Sequence, residues 1–292
     1  MSVFFRSLLL IVCAAFGALA QGDVREGLTL PSRILGHPIR YTIYLPPGYE
    51  ASKRTYPVVY LFHNAQEDDT AWIHQGEAAQ TLERGIASRE LVPMIVVMPD
   101  GGTSGFINSA DGSVRWEDAF LQEVIPFIES RFRVRPHRMA RALAGHASGG
   151  RAALTLAFKH PNLFRACVAL SPALHDAEAL AALSEDQWTL DYAAVYGAGL
   201  QGAARATEHW RAHSPLALAE RIAPRPLGSL RIYLDCGDKD PLLPGSLALH
   251  QLLRGRGLVH DLRVRSGDHR WSTWRTGLHP ALAYLSGVFR QE

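Results

Sequence analysis

The stretch AGHASGG, residues 144–150, decides how the rest of the chain is read. An apolar, strand-like run, ARALAGH (140–146), leads into it, and the helix-like GRAALTLAFKH (150–160) leads out. Gly145 and Gly149 bracket Ala147. A sharp strand-to-helix turn needs glycine at such places, because strand and helix backbones approach closely there. An ordinary glycine-rich turn has the same appearance, so this stretch alone leaves the choice even.

Outward from the turn, short apolar runs alternate with helical stretches. Strands are expected at IRYTIYLP (39–46), YPVVYLFH (56–63), MIVVMPD (94–100), ARALAGH (140–146), ACVALSP (166–172), RIYLDCG (231–237) and DLRVRS (261–266). Several are apolar almost throughout, which suits strands covered on both faces. A helix is expected from Trp116, with Phe120, Val124, Phe127 and Ile128 on one face. Others follow the turn at 150, start at Pro244, and close the chain, with Pro280 as a possible break. The alternation predicts an α/β fold, with a mostly parallel central sheet and helices on both faces. The alanine-rich segment 174–228 is less regular and reads as a cap-like insertion within one domain, residues 21–292.

The bulk properties narrow the class. The chain has 292 residues, 47% hydrophobic and 20% charged, with a formal net charge of +2. That is globular composition with no electrostatic case for a nucleic-acid partner. Arg6 precedes an apolar run, SLLLIVCAAF (7–16), and small residues end in Ala18-Leu19-Ala20. This is the layout of an export signal with cleavage after Ala20, and the run is too short to span a membrane, which takes roughly 20 residues. A secreted or periplasmic location, with no anchor after cleavage, is therefore expected. Cys13 lies inside the apolar run, and the mature chain keeps Cys167 and Cys236. Both end apolar runs and read as buried thiols, although an oxidising compartment permits a bridge.

Chemistry enters through the pattern G-x-S-x-G, in which a nucleophile tops the turn and an acid and a histidine follow in chain order. Here Ala147 holds the nucleophile place. LDCGDKDPLL places Asp235, Asp238 and Asp240 after a strand, with Asp240 deepest in the loop. SGDHRWSTW places His269 in the loop after the last strand, with two tryptophans close behind. An acid that orients a histidine to deprotonate a hydroxyl is the usual division of labour.

At these residues the chain resembles the esterase D-like branch of α/β-hydrolases, which includes feruloyl, acetyl-xylan and enterochelin esterases. The matching stretches are YLPPGYE, YPVVYLFH, TAW, MIVVMPDG, EVIPFIESRF, AGHASGG, HPNLFRACVALSPAL, IYLDCGDKDPLLPG and GDHRWSTW, over roughly residues 30–290. The resemblance implies an α/β-hydrolase fold, no cofactor, and ester cleavage through serine, histidine and aspartate. It places Ala147 at the nucleophile position, Asp240 as the acid and His269 as the base. It also implies an oxyanion hole from the backbone N–H groups of Asn64 and Ser148. Two departures stand out: alanine at 147, and HNAQED (63–68) where the family reads H-G-x-x-G-D.

Trp72 and Trp271 are candidates for stacking on an aromatic or sugar group of a small ester or glycoside-linked ester, with packing as the alternative; Trp274 reads as packing. Ser148 as the nucleophile requires the bulky His146 where a small residue belongs, and turns the side chain away from the histidine. A metal at His63 with Glu67, Asp68 and Asp69 lacks a second ligand cluster. Loss of the nucleophile costs a comparable hydrolase on the order of a million-fold in turnover. The expectation is an esterase scaffold with strongly impaired hydrolysis. The alternatives are a non-catalytic binding protein and an engineered inactive variant of an active enzyme.

Overall fold

A computed structural model describes residues 21–223 and 228–291. The expected export segment and Cys13 lie outside the described residues. Eight strands form one sheet in the order β1-β2-β4-β3-β5-β6-β7-β8. They are β1 (Asp23–Leu30), β2 (Ile39–Leu45), β3 (Val58–Phe62), β4 (Ile95–Pro99), β5 (Arg141–His146), β6 (Ala166–Leu170), β7 (Arg231–Gly237) and β8 (His260–Arg265). From β4 through β8 all pairings are parallel, whereas near one edge β2 runs antiparallel to both its neighbours, β1 and β4.

Seven of these strands follow the apolar runs in the sequence. The eighth, β1, carries no such signal. It is an edge strand with only Leu30 fully buried, and a register shift between Arg25 and Leu28, where Gly27 sits at φ +66°, interrupts its alternation.

Each face of the sheet is covered. On one side lie the consecutive helical segments Trp116–Ala119, Phe120–Val124 and Ile125–Arg131, the helix Ala147–Lys159, and the helices Pro215–Arg221 and Leu243–Gly255. Their apolar residues join Val58, Tyr60, Phe62 and Leu143 in the larger core. On the other side Ala78–Ala87 and the C-terminal helix Trp271–Phe289 cover Val59, Leu61, Val96 and Val168. The C-terminal helix runs unbroken through Pro280, contrary to the possible break. Leu278, Ala281, Leu282 and Leu285 are buried on the sheet, and that packing outweighs the lost backbone bond. Between β6 and β7 the short helices Ala177–Ala181, Glu185–Asp191 and Ala193–Tyr196 gather around Leu180, Trp188, Tyr192 and Trp210 as a small separate core.

Candidate active site

The parallel strands end on one edge, and their C-terminal loops converge there, where ligands bind in open α/β sheets. β5 ends at His146 and the helix Ala147–Lys159 starts at the next residue. Ala147 has φ +48°, a left-handed conformation unusual for a residue with a side chain. Sterics enforce the turn. A Cβ on Gly145 would lie 2.5 Å from the Gly149 carbonyl carbon, and a Cβ on Gly149 would lie 2.4 Å from the His63 carbonyl oxygen. The two glycines that bracket Ala147 therefore let β5, the helix and the end of β3 meet at van der Waals distance.

The loops after β7 and β8 are laced to each other. The Lys239 N–H donates to Gly267 O at 2.9 Å, and the Gly267 N–H donates to Asp238 Oδ1 at 3.0 Å. Gly237 has no room for a Cβ, which would lie 2.4 Å from Gly267 O. The three neighbouring aspartates are thereby sorted. Asp235 is buried against Arg265, whose Nε lies 2.8 and 2.9 Å from its two carboxylate oxygens. Asp238 holds the β8 loop. Asp240 accepts from His269 Nδ1, at 3.1 Å to Oδ1 and 3.0 Å to Oδ2, and also from the Leu242 N–H at 2.9 Å. Burial pushes the Asp240 carboxyl up, but the His269 ring and the Leu242 N–H outweigh it and hold the group below its ordinary value, so it is ionised at neutral pH. With Nδ1 so engaged, Nε2 is the ring nitrogen left for the cleft.

Ala147, Ser148, Asn64 and His269 line one cleft of about 690 Å³. Its far wall is apolar and comes from Ala173, Leu174, Leu183 and Leu216, together with Leu242 and Ala248. Polar groups at its rim include His175, which meets the Tyr192 hydroxyl at 2.8 Å and is pushed down to about 4 by burial. The segment 174–192 thus supplies a wall that no motif in the sequence marked.

Trp72 and Trp271 do not line this cleft. Trp72 is 1% exposed, donates from Nε1 to Phe62 O at 3.0 Å, and packs edge-on against His146 and Trp271. It is a packing residue, the alternative left open by the sequence. Trp271 donates to Glu67 Oε1 at 3.0 Å. Trp274 is buried between His146 and His269.

Ser148 is buried, and its hydroxyl is tied down: it donates to Asn64 Oδ1 and accepts from the Ala65 N–H, both at 2.8 Å. The Asn64 N–H donates to Glu67 Oε2 at 3.1 Å. That oxygen also lies 3.0 Å from His146 Nε2, off the line of a well-formed hydrogen bond. Burial pushes the Glu67 carboxyl up, but His146 and the Asn64 N–H bring it below its ordinary value. Burial pulls the His146 imidazole down despite that carboxylate. Sequence reasoning weighed Glu67 only as a metal ligand. Its signal was its place in HNAQED, where the second glycine of H-G-x-x-G-D would stand.

The His63 ring is occupied by backbone: Nδ1 donates to Asn64 O at 2.7 Å and Nε2 accepts from the Gly101 N–H at 3.0 Å. Asp69 is bound to Arg40 and Thr42, and Asp68 to Thr70. Among the described residues no three His, Cys, Asp or Glu side chains are grouped to hold a metal. Cys167 and Cys236 are both buried free thiols; burial pushes Cys167 far above its ordinary range and Cys236 to about 11. Among the described residues no helix is long and apolar enough to cross a membrane.

A mostly parallel eight-stranded sheet, a tight turn after β5, and an aspartate and a histidine in the loops after β7 and β8 define an α/β-hydrolase fold. Within that class the chain belongs to the esterase family, whose model matches residues 32–285. Its relatives include Esterase Rv1288 of Mycobacterium tuberculosis, 29% identical over 249 residues, or 78% of this chain and 51% of that protein. Another is the endo-1,4-beta-xylanase/feruloyl esterase of Xylanibacter ruminicola, 31% identical over 151 residues, 49% of this chain and 21% of that protein. The chain thus spans about half, or less, of the length of these two relatives. A solved ferulic acid esterase superposes with a TM-score of 0.79 at 27% identity, covering 92% of this chain and 99% of its own.

Proposed function

We propose that this chain is an exported esterase-family protein, a single domain with a cap-like wall at 174–228. Its cleft binds small esters or glycoside-linked esters, and its hydrolytic turnover is strongly impaired. One observation carries this reading. Ala147 tops a left-handed elbow on the cleft that His269, held from behind by Asp240, also lines, so a methyl group stands where the reacting hydroxyl would be. His269 can accept a proton through Nε2 while Asp240 stabilises the imidazolium, but no side-chain oxygen at 147 can form an acyl-enzyme. What is left is ester binding in an apolar cleft and slow attack by a water that His269 deprotonates.

The test is Ala147→Ser. The parent should hydrolyse short acyl esters barely above background and show no labelling by a serine-reactive fluorophosphonate. The serine variant should be labelled and should gain on the order of a thousand-fold in ester hydrolysis. A folded serine variant that stays unlabelled and inactive would overturn the esterase reading of this site.

A further inference from the structure

We infer that the hydrolytic site is closed at a second point: the loop after β3 spends the backbone N–H groups of Asn64 and Ala65 internally and offers neither to an oxyanion. This rests on the esterase reading above and concerns regulation of that same cleft. An oxyanion hole needs preorganised donors aimed at the charge that develops in the transition state. The loop residues beside the elbow are Asn64 and Ala65, because Phe62 at the end of β3 pairs with Gly145. Both of their N–H groups are consumed. Asn64 donates to the Glu67 carboxylate and Ala65 donates to Ser148 Oγ. The Ser148 hydroxyl proton is itself spent on Asn64 Oδ1.

Glu67, which takes the first donor, and Asn64, which anchors the Ser148 hydroxyl that takes the second, sit at departures from the glycine pattern. Asn64 and Glu67 stand at the two glycine places of HNAQED, and Ser148 follows Ala147. Glycine at 64 and 67 would supply neither the Oδ1 nor the carboxylate. Glu67 is fixed further by Trp271 Nε1 at 3.0 Å and by the neighbouring His146. A carboxylate bound to the Asn64 N–H also places a negative charge behind the point where an oxyanion would form, which disfavours it further. Of the expected donors only the Ser148 N–H is left, in the first turn of the elbow helix, where N–H groups lack intrahelical acceptors.

The closed loop therefore limits what a restored serine can do. Ala147→Ser should recover about a thousand-fold less than the on-the-order-of-million-fold worth of a complete nucleophile, because loss of one oxyanion donor costs about a hundred- to a thousand-fold. Adding Ser148→Ala frees the Ala65 N–H. We expect kcat of Ala147→Ser/Ser148→Ala to exceed that of Ala147→Ser at least tenfold with KM nearly unchanged, since these donors act on the transition state. Melting curves of each variant establish that it is folded.

A second measurement uses the unaltered protein. The Asn64 and Ala65 amides should exchange slowly with deuterium. Their NMR shifts should stay put when a 4-nitrophenyl alkylphosphonate monoanion is added, while His269 signals move. The inference is overturned if Ser148→Ala leaves kcat unchanged or lowers it in a fluorophosphonate-reactive serine background, or if the phosphonate shifts both amides. A serine variant that resists labelling in every background fails differently: it removes the esterase reading, and this inference with it.

Discussion

Gly149→Ala tests the elbow as a steric object, independent of any chemistry. The added Cβ would lie 2.4 Å from His63 O, 2.7 Å from Phe62 O and 2.8 Å from the Phe62 carbonyl carbon. All three are backbone atoms, so no side chain can rotate away. Ordinary contact requires about 3.4 Å or more, and the end of β3 must retreat by roughly 1 Å. That end is paired with β5 through Phe62 and Gly145, so retreat loosens the central ladder. Overpacking costs about 1–3 kcal/mol and each weakened backbone bond about 1 kcal/mol, so a loss of about 3–5 kcal/mol is expected. Two neighbours calibrate the result. Gly150→Ala meets its nearest atoms at 3.1–3.3 Å and should cost about 1 kcal/mol. Gly287→Ala, in the C-terminal helix with nothing within 4 Å, should stabilise by up to about 1 kcal/mol. Urea unfolding at constant m-value gives the order directly. If Gly149→Ala proved no less stable than Gly150→Ala, the close approach of helix and strand at this turn would be wrong, and the elbow argument with it.

In the Ala147→Ser background, Asp240→Asn should lower kcat by up to about a thousand-fold, back toward the parent's level, because His269 loses the carboxylate that fixes its tautomer, while Asp238→Asn should alter stability more than kcat. Acid stability should report Glu117, which meets Lys159 Nζ at 2.6 Å and His160 Nε2 at 2.7 Å. Burial pushes its carboxyl up, but hydrogen bonds with His160, His213 and Lys159, and the Lys159 charge, hold it far below the ordinary value. Its contribution is thus fully present above the unfolded-state pKa, about 4.5, and drains away as pH falls toward the folded value. Urea midpoints measured from pH 7 to 3 should drop below about pH 4.5, and Glu117→Gln should flatten that drop. Cys167, fully buried with its thiol pushed up, should be silent to a thiol reagent in the native protein and react at once in urea.

The sequence by itself determined the sheet, because strands covered on both faces must be apolar along their whole length, and that shows in any window of the chain. It also determined the turn after β5, since glycine is required where two backbones touch. Edge strand β1 stayed hidden because it faces water and alternates irregularly, and the short helices of 177–196 because their core of Leu180, Trp188 and Tyr192 is drawn from scattered positions. The sequence singled out Asp240 as the acid candidate by its depth in the loop, and tertiary structure alone decided what engages its neighbours, Arg265 on Asp235 and the Gly267 N–H on Asp238. Tertiary structure also decided that Trp72 packs behind the cleft and that Glu67 and Ser148 take the Asn64 and Ala65 N–H groups. The physical reason is range. Hydrophobic periodicity and backbone sterics act between near neighbours, whereas a hydrogen bond is made by whichever groups folding brings within about 3 Å. Glu67 and Trp271, which share such a bond, stand 204 residues apart.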